Sequence, residues 1–122
     1  MNGALAGRPL PPITLCVLLW ARPGATQALV DYEHRVLAIL GDHGGRVLER
    51  ARTRGGEDEP AEIQLLSFAS ESALETFTAD PRRTAIAAEH DAAIERTVIY
   101  RVELESGRTE KGALTGGPSD RE

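Results

Sequence analysis

Eight consecutive residues, Ile13 to Trp20 (ITLCVLLW), carry no charge. Read as a strand, they point Ile13, Leu15, Val17 and Leu19 one way and Cys16, Leu18 and Trp20 the other. Both sets are apolar, so the strand must be covered on both faces. The run is far shorter than the roughly 20 residues a membrane-spanning helix needs. A chain of 122 residues fits one domain, which limits how that double cover is built.

The rest of the chain supplies one cover. Leu29, Tyr32, Val36, Leu37 and Leu40 form a helical stripe over Ala25–Leu40, with Gly41 as its stop and His43-Gly44-Gly45 as a turn. Arg46–Thr53 and Ile63–Ala69 read as strands around a loop, Arg54–Pro60. Ser70 is placed to cap a helix that turns Ala73, Leu74 and Phe77 inward. Asp80-Pro81 restarts that helix, which is expected to reach about Arg96. Thr97–Leu104 is the last strand, with Val98, Tyr100, Val102 and Leu104 alternating against Ile99, Arg101 and Glu103. This order predicts a ferredoxin-like α+β fold: a four-stranded antiparallel sheet with helices on one face. No element remains for the other face, so a second copy is expected to cover it, giving a homodimer.

Residues 1–12 read as a flexible arm, 13–104 as the domain, and 105–122, rich in Gly, Ser, Thr and charge, as a disordered tail. The start lacks the long apolar region of a signal peptide, so a cytoplasmic protein is expected. The net charge of −5 argues against a nucleic-acid partner, and nothing points to a membrane. Arginine far outnumbers lysine and alanine is abundant, a bias of GC-rich bacterial genomes. Cys16 is the sole cysteine, which excludes a disulfide framework and reads as a small buried hydrophobe.

Several stretches together, LVDYEHRVLAILGDHGGRVLERAR, PAEIQLLSF and SESALETFTADPRRTAI after the apolar first strand, resemble the dimeric α/β-barrel superfamily. Within it the chain is most similar to the small proteins of domain of unknown function 1330. The resemblance covers about residues 13–104. Arg83 stands where that family typically has an aromatic residue, and His90 near where it often has an arginine. The resemblance implies a pocket between sheet and helices. In the wider superfamily such pockets serve cofactor-free monooxygenases, polyketide cyclases, haem-degrading enzymes, lactone isomerases and stress-responsive proteins, so the fold alone selects no function.

The residues offer their own candidates. His90 shares a helical face with Ile86, Ala93 and Ile94, where an imidazole can act as acid or base; the competing reading is a histidine satisfied by a backbone carbonyl. Glu33 falls within the apolar arc of the first helix and either reaches out to solvent or faces a cavity with His90 or an arginine. Tyr32 borders the same arc. Tyr100 lies on the apolar side of the last strand and needs a partner for its hydroxyl if buried. Arg46, Arg50, Arg52 and Arg54 share parity, so an unbroken strand points all four to one face; most then pair with the acidic hairpin, leaving Arg46 or Arg50 as an anion stabiliser. Trp20 closes the core or caps a pocket mouth. His34 reads as solvent-facing and His43 as structural. No histidine pair has metal spacing, and there is no phosphate loop or nucleophile elbow, so neither metal nor cofactor is expected.

Two functions fit. One is a small-molecule site using His90 with Tyr32, Glu33, Tyr100 and an arginine for cofactor-free isomerisation, cyclisation or oxygenation. It requires a cavity of roughly 300 Å³ or more beside His90. The other is a non-catalytic homodimeric binding or assembly module, its helix–sheet interface filled by Leu29, Val36, Phe77 and Ile86 with no cavity.

Overall fold

The computed structural model describes residues 12–105. The expected arm and tail therefore lie outside the described residues, Pro12 and Glu105 excepted. The elements are β1 (Ile13–Ala21), α1 (Thr26–Leu37), β2 (Gly45–Arg52), β3 (Glu62–Phe68), α2 (Glu71–Thr78), α3 (Pro81–Thr84), α4 (Ala87–Ala93) and β4 (Ile94–Arg101). All strand pairs are antiparallel, in the order β2-β3-β1-β4. The helices lie on one face, so the architecture is ferredoxin-like α+β.

The alternation along β1 sorts its side chains as expected: Leu15, Val17 and Leu19 are buried against the helices. Leu66 and Phe68 of β3 join them, and Leu29, Val36 and Phe77 close the layer from above. Each such side chain contributes roughly 1.5–3 kcal/mol by burial. On the opposite face Cys16, Leu18, Ile63, Leu65 and Val98 are partly exposed, and no described element covers them.

Several boundaries differ from expectation. α1 ends at Leu37, and the chain tightens into a 3-10 turn, Leu40–His43. Gly44, not Gly41, ends this segment, because Gly44 takes the left-handed conformation at φ +72° that glycine adopts without steric cost. A Cβ on the next residue, Gly45, would lie 2.8 Å from Leu40 Cδ2, so β2 starts close against the core. Ser70 caps α2 by accepting from the Ala73 amide at 3.1 Å. Asp80 caps α3 by accepting from the Arg82 amide at 2.8 Å. The helix does not then run to Arg96. It breaks between α3 and α4, and Ile94 already pairs with Ala21, so β4 lies alongside most of β1.

The arginine strand needs the clearest correction. A bulge between Val47 and Glu49 inserts Leu48 without a ladder partner. One extra residue inverts the parity of everything before it. Arg46 pairs with Ser67 and lies on the open face, whereas Arg50 pairs with Gln64 and lies on the helix face. The four arginines therefore do not share a side.

Candidate functional site

A cavity of about 120 Å³ lies between α1, the α2–α4 segment and the sheet. Leu15, Val17, Leu66, Phe68 and Phe77 are among its apolar walls, and Tyr32, Glu33, Gln64, Arg83 and His90 among its polar ones. A more open vestibule of about 230 Å³ is also lined by Tyr32, Arg83 and His90. These three side chains thus border both spaces. The inner cavity alone is below the roughly 300 Å³ required of a ligand site; the vestibule is a second space that shares Tyr32, Arg83 and His90 with it.

Glu33 is only 7 % exposed, since its place on α1 beside Tyr32 and Val36 turns it toward β3. Gln64 Nε2 donates to Glu33 Oε1 at 2.9 Å and to Glu62 Oε2 at 2.9 Å. Glu62 is fully buried and accepts Arg50 Nε at 2.6 Å and Nη2 at 3.0 Å. The row Glu33, Gln64, Glu62, Arg50 thus holds two carboxylates but one paired cation. Burial pushes the Glu33 carboxyl above its ordinary value of 4.5. The Gln64 hydrogen bond opposes that push and the Glu62 charge adds to it. A desolvated carboxylate of this kind is a stronger base than one in water.

Tyr32 is buried, and burial raises its phenol further above 10.0, so it stays neutral and able to donate. The His90 ring meets the Tyr32 ring edge-on, with centroids 5.6 Å apart. Its Nδ1 lies 3.0 Å from Asp91 Oδ1, so its observed partner is a neighbouring carboxylate, not a backbone carbonyl. Part of the ring remains accessible at the vestibule.

The structure brings His90, Tyr32 and Glu33 together, and places Arg50 at the far end of the hydrogen-bonded row, beyond Gln64 and Glu62, as the counter-ion of Glu62. It does not bring Arg46 or Tyr100 there. Arg46 is on the other face through the bulge, and Tyr100 pairs with Cys16 on the open face, 56 % exposed. The last strand is apolar on both sides, and Ile99, not Tyr100, borders the cavity. Trp20 also leaves the core: its Nε1 donates to the Asp58 carbonyl at 3.1 Å, and Arg96 stacks 4.3 Å from its ring centroid. They line a cleft of about 470 Å³ at one end of the sheet, which lacks a buried titratable group.

The sequence does not single out Gln64, and it marks Arg83 only as a departure from the resembled family, not as a site residue. Glu62 and Gln64 share parity with Leu66 and Phe68, which marks them as inward-facing. Arg83, Ala87 and His90 follow four-then-three spacing, which places Arg83 beside His90 even across the helix break. His43 is structural: Nδ1 contacts Thr76 Oγ1 at 2.9 Å and Nε2 contacts Asp80 Oδ2 at 2.7 Å, tying the 3-10 turn to the α2–α3 junction. Arg82 and His43 together hold the Asp80 carboxyl well below the usual range. Among the described residues no three His, Cys, Asp or Glu side chains converge to hold a metal. Among them, too, no helix is long and apolar enough to cross a membrane.

No protein-family model matches the sequence, and no curated protein does. Solved structures do match. A protein of unknown function from Rhodopseudomonas palustris aligns at TM-score 0.66 and 17 % identity, over 86 % of this chain and 95 % of its own. SnoaB, a cofactor-independent oxygenase from Streptomyces nogalater, aligns at TM-score 0.59 and 12 % identity, over 78 % and 96 %. A dimeric protein of unknown function and ferredoxin-like fold from Bacteroides fragilis aligns at TM-score 0.60 and 11 % identity, over 80 % and 100 %. At these identities the likeness shows the ferredoxin-like fold, shared by proteins of different function.

Proposed function

We propose that this protein binds a small organic molecule between its sheet and helices and moves a proton on it without a cofactor. The observation that carries this reading is Glu33: a buried, base-strengthened carboxylate on a cavity wall, with Tyr32 and His90 bordering the same space. Glu33 would take a proton from the carbon beside a carbonyl, and the electron pair would move onto the carbonyl oxygen. A hydrogen bond from Tyr32 or His90 would stabilise that enolate. Return of the proton to a different carbon gives an isomerisation; attack of the enolate on an internal carbonyl gives a cyclisation; its reaction with oxygen gives an oxygenation. A structural neighbour described as a cofactor-independent oxygenase agrees with this class.

The test is proton exchange. A panel of enolisable ketones in deuterium oxide, followed by proton NMR, should lose α-proton signal faster with the protein than in buffer. Glu33→Gln should abolish the excess. No excess exchange across the panel defeats the proton-transfer reading.

A second reading rests on a separate observation, the uncovered apolar sheet face. We propose that a second copy seats on it, sheet against sheet, and a neighbour described as dimeric supports this. On that reading alone the protein is an assembly module, but the cavity favours adding the first. The narrower affiliation with domain of unknown function 1330, and a bacterial cytoplasmic setting, belong to the same proposal.

A further inference from the structure

Arg83 is a cation without a bonded carboxylate. Its Nη1 donates to the Thr78 carbonyl at 3.1 Å, and its guanidinium carbon lies 4.8 Å from the Phe77 ring centroid. These contacts fix the group in place without pairing it to a carboxylate, although its charge reaches Glu33 through space. Its Nε is buried and has no hydrogen-bond partner. Among the described residues no carboxylate forms an ion pair with it, although Arg35, Arg50, Arg82 and Arg101 each have one.

The unused edge is informative. Arg50 grips Glu62 through Nε and Nη2, at 2.6 and 3.0 Å. Arg82 grips Asp80 through the same two atoms, at 3.1 and 2.8 Å. That side-on fork matches the two oxygens of a carboxylate. In Arg83 the Nη1 contact leaves this same fork unpaired, on a side chain that lines both the cavity and the vestibule. A buried donor left unsatisfied is costly, and a ligand that satisfies it gains what the protein forgoes.

We infer that Arg83 anchors the carboxylate of the ligand, so that the site takes small organic monocarboxylates with an apolar or enolisable body. This rests on reading the cavity as a ligand site and adds the ligand's class. The carboxylate sits at the partition between vestibule and cavity. The body enters among Leu66, Phe68 and Phe77, toward Glu33. The arrangement separates the two negative groups: the ligand's anion faces Arg83, and its reacting carbon faces Glu33. A phosphate monoester lacks the planar two-oxygen match and has no second permanent cation among the cavity's lining residues to balance its second charge, His90 being charged only when protonated.

The test titrates full-length protein with benzoate, with its neutral counterpart benzyl alcohol and with inorganic phosphate, reading nitrogen-15 NMR shifts. Benzoate should move the Arg83 Nε–H resonance and the amides of Tyr32 and His90. Arg83→Met should weaken benzoate about tenfold or more and leave benzyl alcohol unchanged. Arg83→Lys, which keeps the charge and loses the fork, should also weaken benzoate selectively, and decides the matter if the methionine variant does not fold. Benzoate and benzyl alcohol binding equally, with no effect of either substitution, would overturn the anchor while leaving the cavity a ligand site. Phosphate binding as well as benzoate would overturn the carboxylate assignment. Neither aromatic compound shifting any cavity residue would overturn both this inference and the reading it rests on.

Discussion

Glu33 and Glu62 are both buried carboxylates, yet only Glu62 holds a cation of its own. The difference sets two outcomes. Arg50→Met strands the Glu62 charge, and breaking such a buried pair costs about 3 kcal/mol or more. Urea unfolding should show that loss, and adding Glu62→Gln should recover much of it. A single substitution costing nothing would mean that the Arg50–Glu62 pair does not hold this part of the sheet together. Glu33 behaves oppositely. Its uncharged form is favoured on folding, so its contribution is present below its ordinary value of 4.5 and is lost as pH rises through the higher folded value. Thermal midpoints should therefore decline over that window in the wild type and less in Glu33→Gln; parallel curves would contradict the burial argument. The lowered carboxyls of Asp80, Glu71 and Glu89 act on the acid side of their ordinary values, so they do not mask it.

At the scale of elements, the bulge in β2 decides which arginines meet the site. Val47 pairs with Leu66 and Glu49 with Leu65, so removing Leu48 would leave a regular ladder in the same register. A Leu48 deletion is therefore expected to fold, to keep the Arg50–Glu62 pair and to keep Arg46 outside, at a cost of about 1–2 kcal/mol for the lost side chain. NMR contacts between strands would check it, and a shifted register would refute the assignment of Leu48 as the inserted residue. The same bulge shows why the site was only partly legible. Alternation along Ile13–Ala21 and the stripe through Leu29, Tyr32 and Val36 report burial directly, because packing enforces those periods. Ser70 and Asp80 are legible because a cap satisfies donors that the helix itself leaves unpaired. Parity across β2 is legible only if the strand is unbroken, and nothing in GRVLERAR announces the extra residue. Tyr100 misled for a related reason: both faces of β4 carry apolar side chains, so apolar alternation does not say which faces the helices. Gln64 draws no notice, and Arg83 only as a departure from the resembled family, because each is a single polar residue whose meaning comes from groups distant in sequence.

Across the whole molecule, the sheet has two apolar surfaces, and among the described residues the helices cover only one. The centre of the uncovered face is Leu65, which pairs with Cys16 on one side and Glu49 on the other. If a second copy seats there, an arginine at this point would be taken out of water in both subunits, with only its cross-strand neighbour Glu49 to pair with, a costly arrangement. Leu65→Arg is therefore expected to be monomeric at concentrations where the wild type sediments as a dimer. The side chain points away from the helix-side core, so the monomer should remain folded. A wild type that is already monomeric would remove the sheet-to-sheet reading, and a Leu65→Arg dimer would place the contact elsewhere. The monomer also separates the two roles of the sheet. Its helix-side surface supplies the cavity wall through Leu15, Val17, Gln64 and Leu66. Those residues come from strands already bonded within one chain, so benzoate binding should survive the loss of the partner. Loss of binding in a folded monomer would mean that pairing holds the cavity open, making the dimer part of the site.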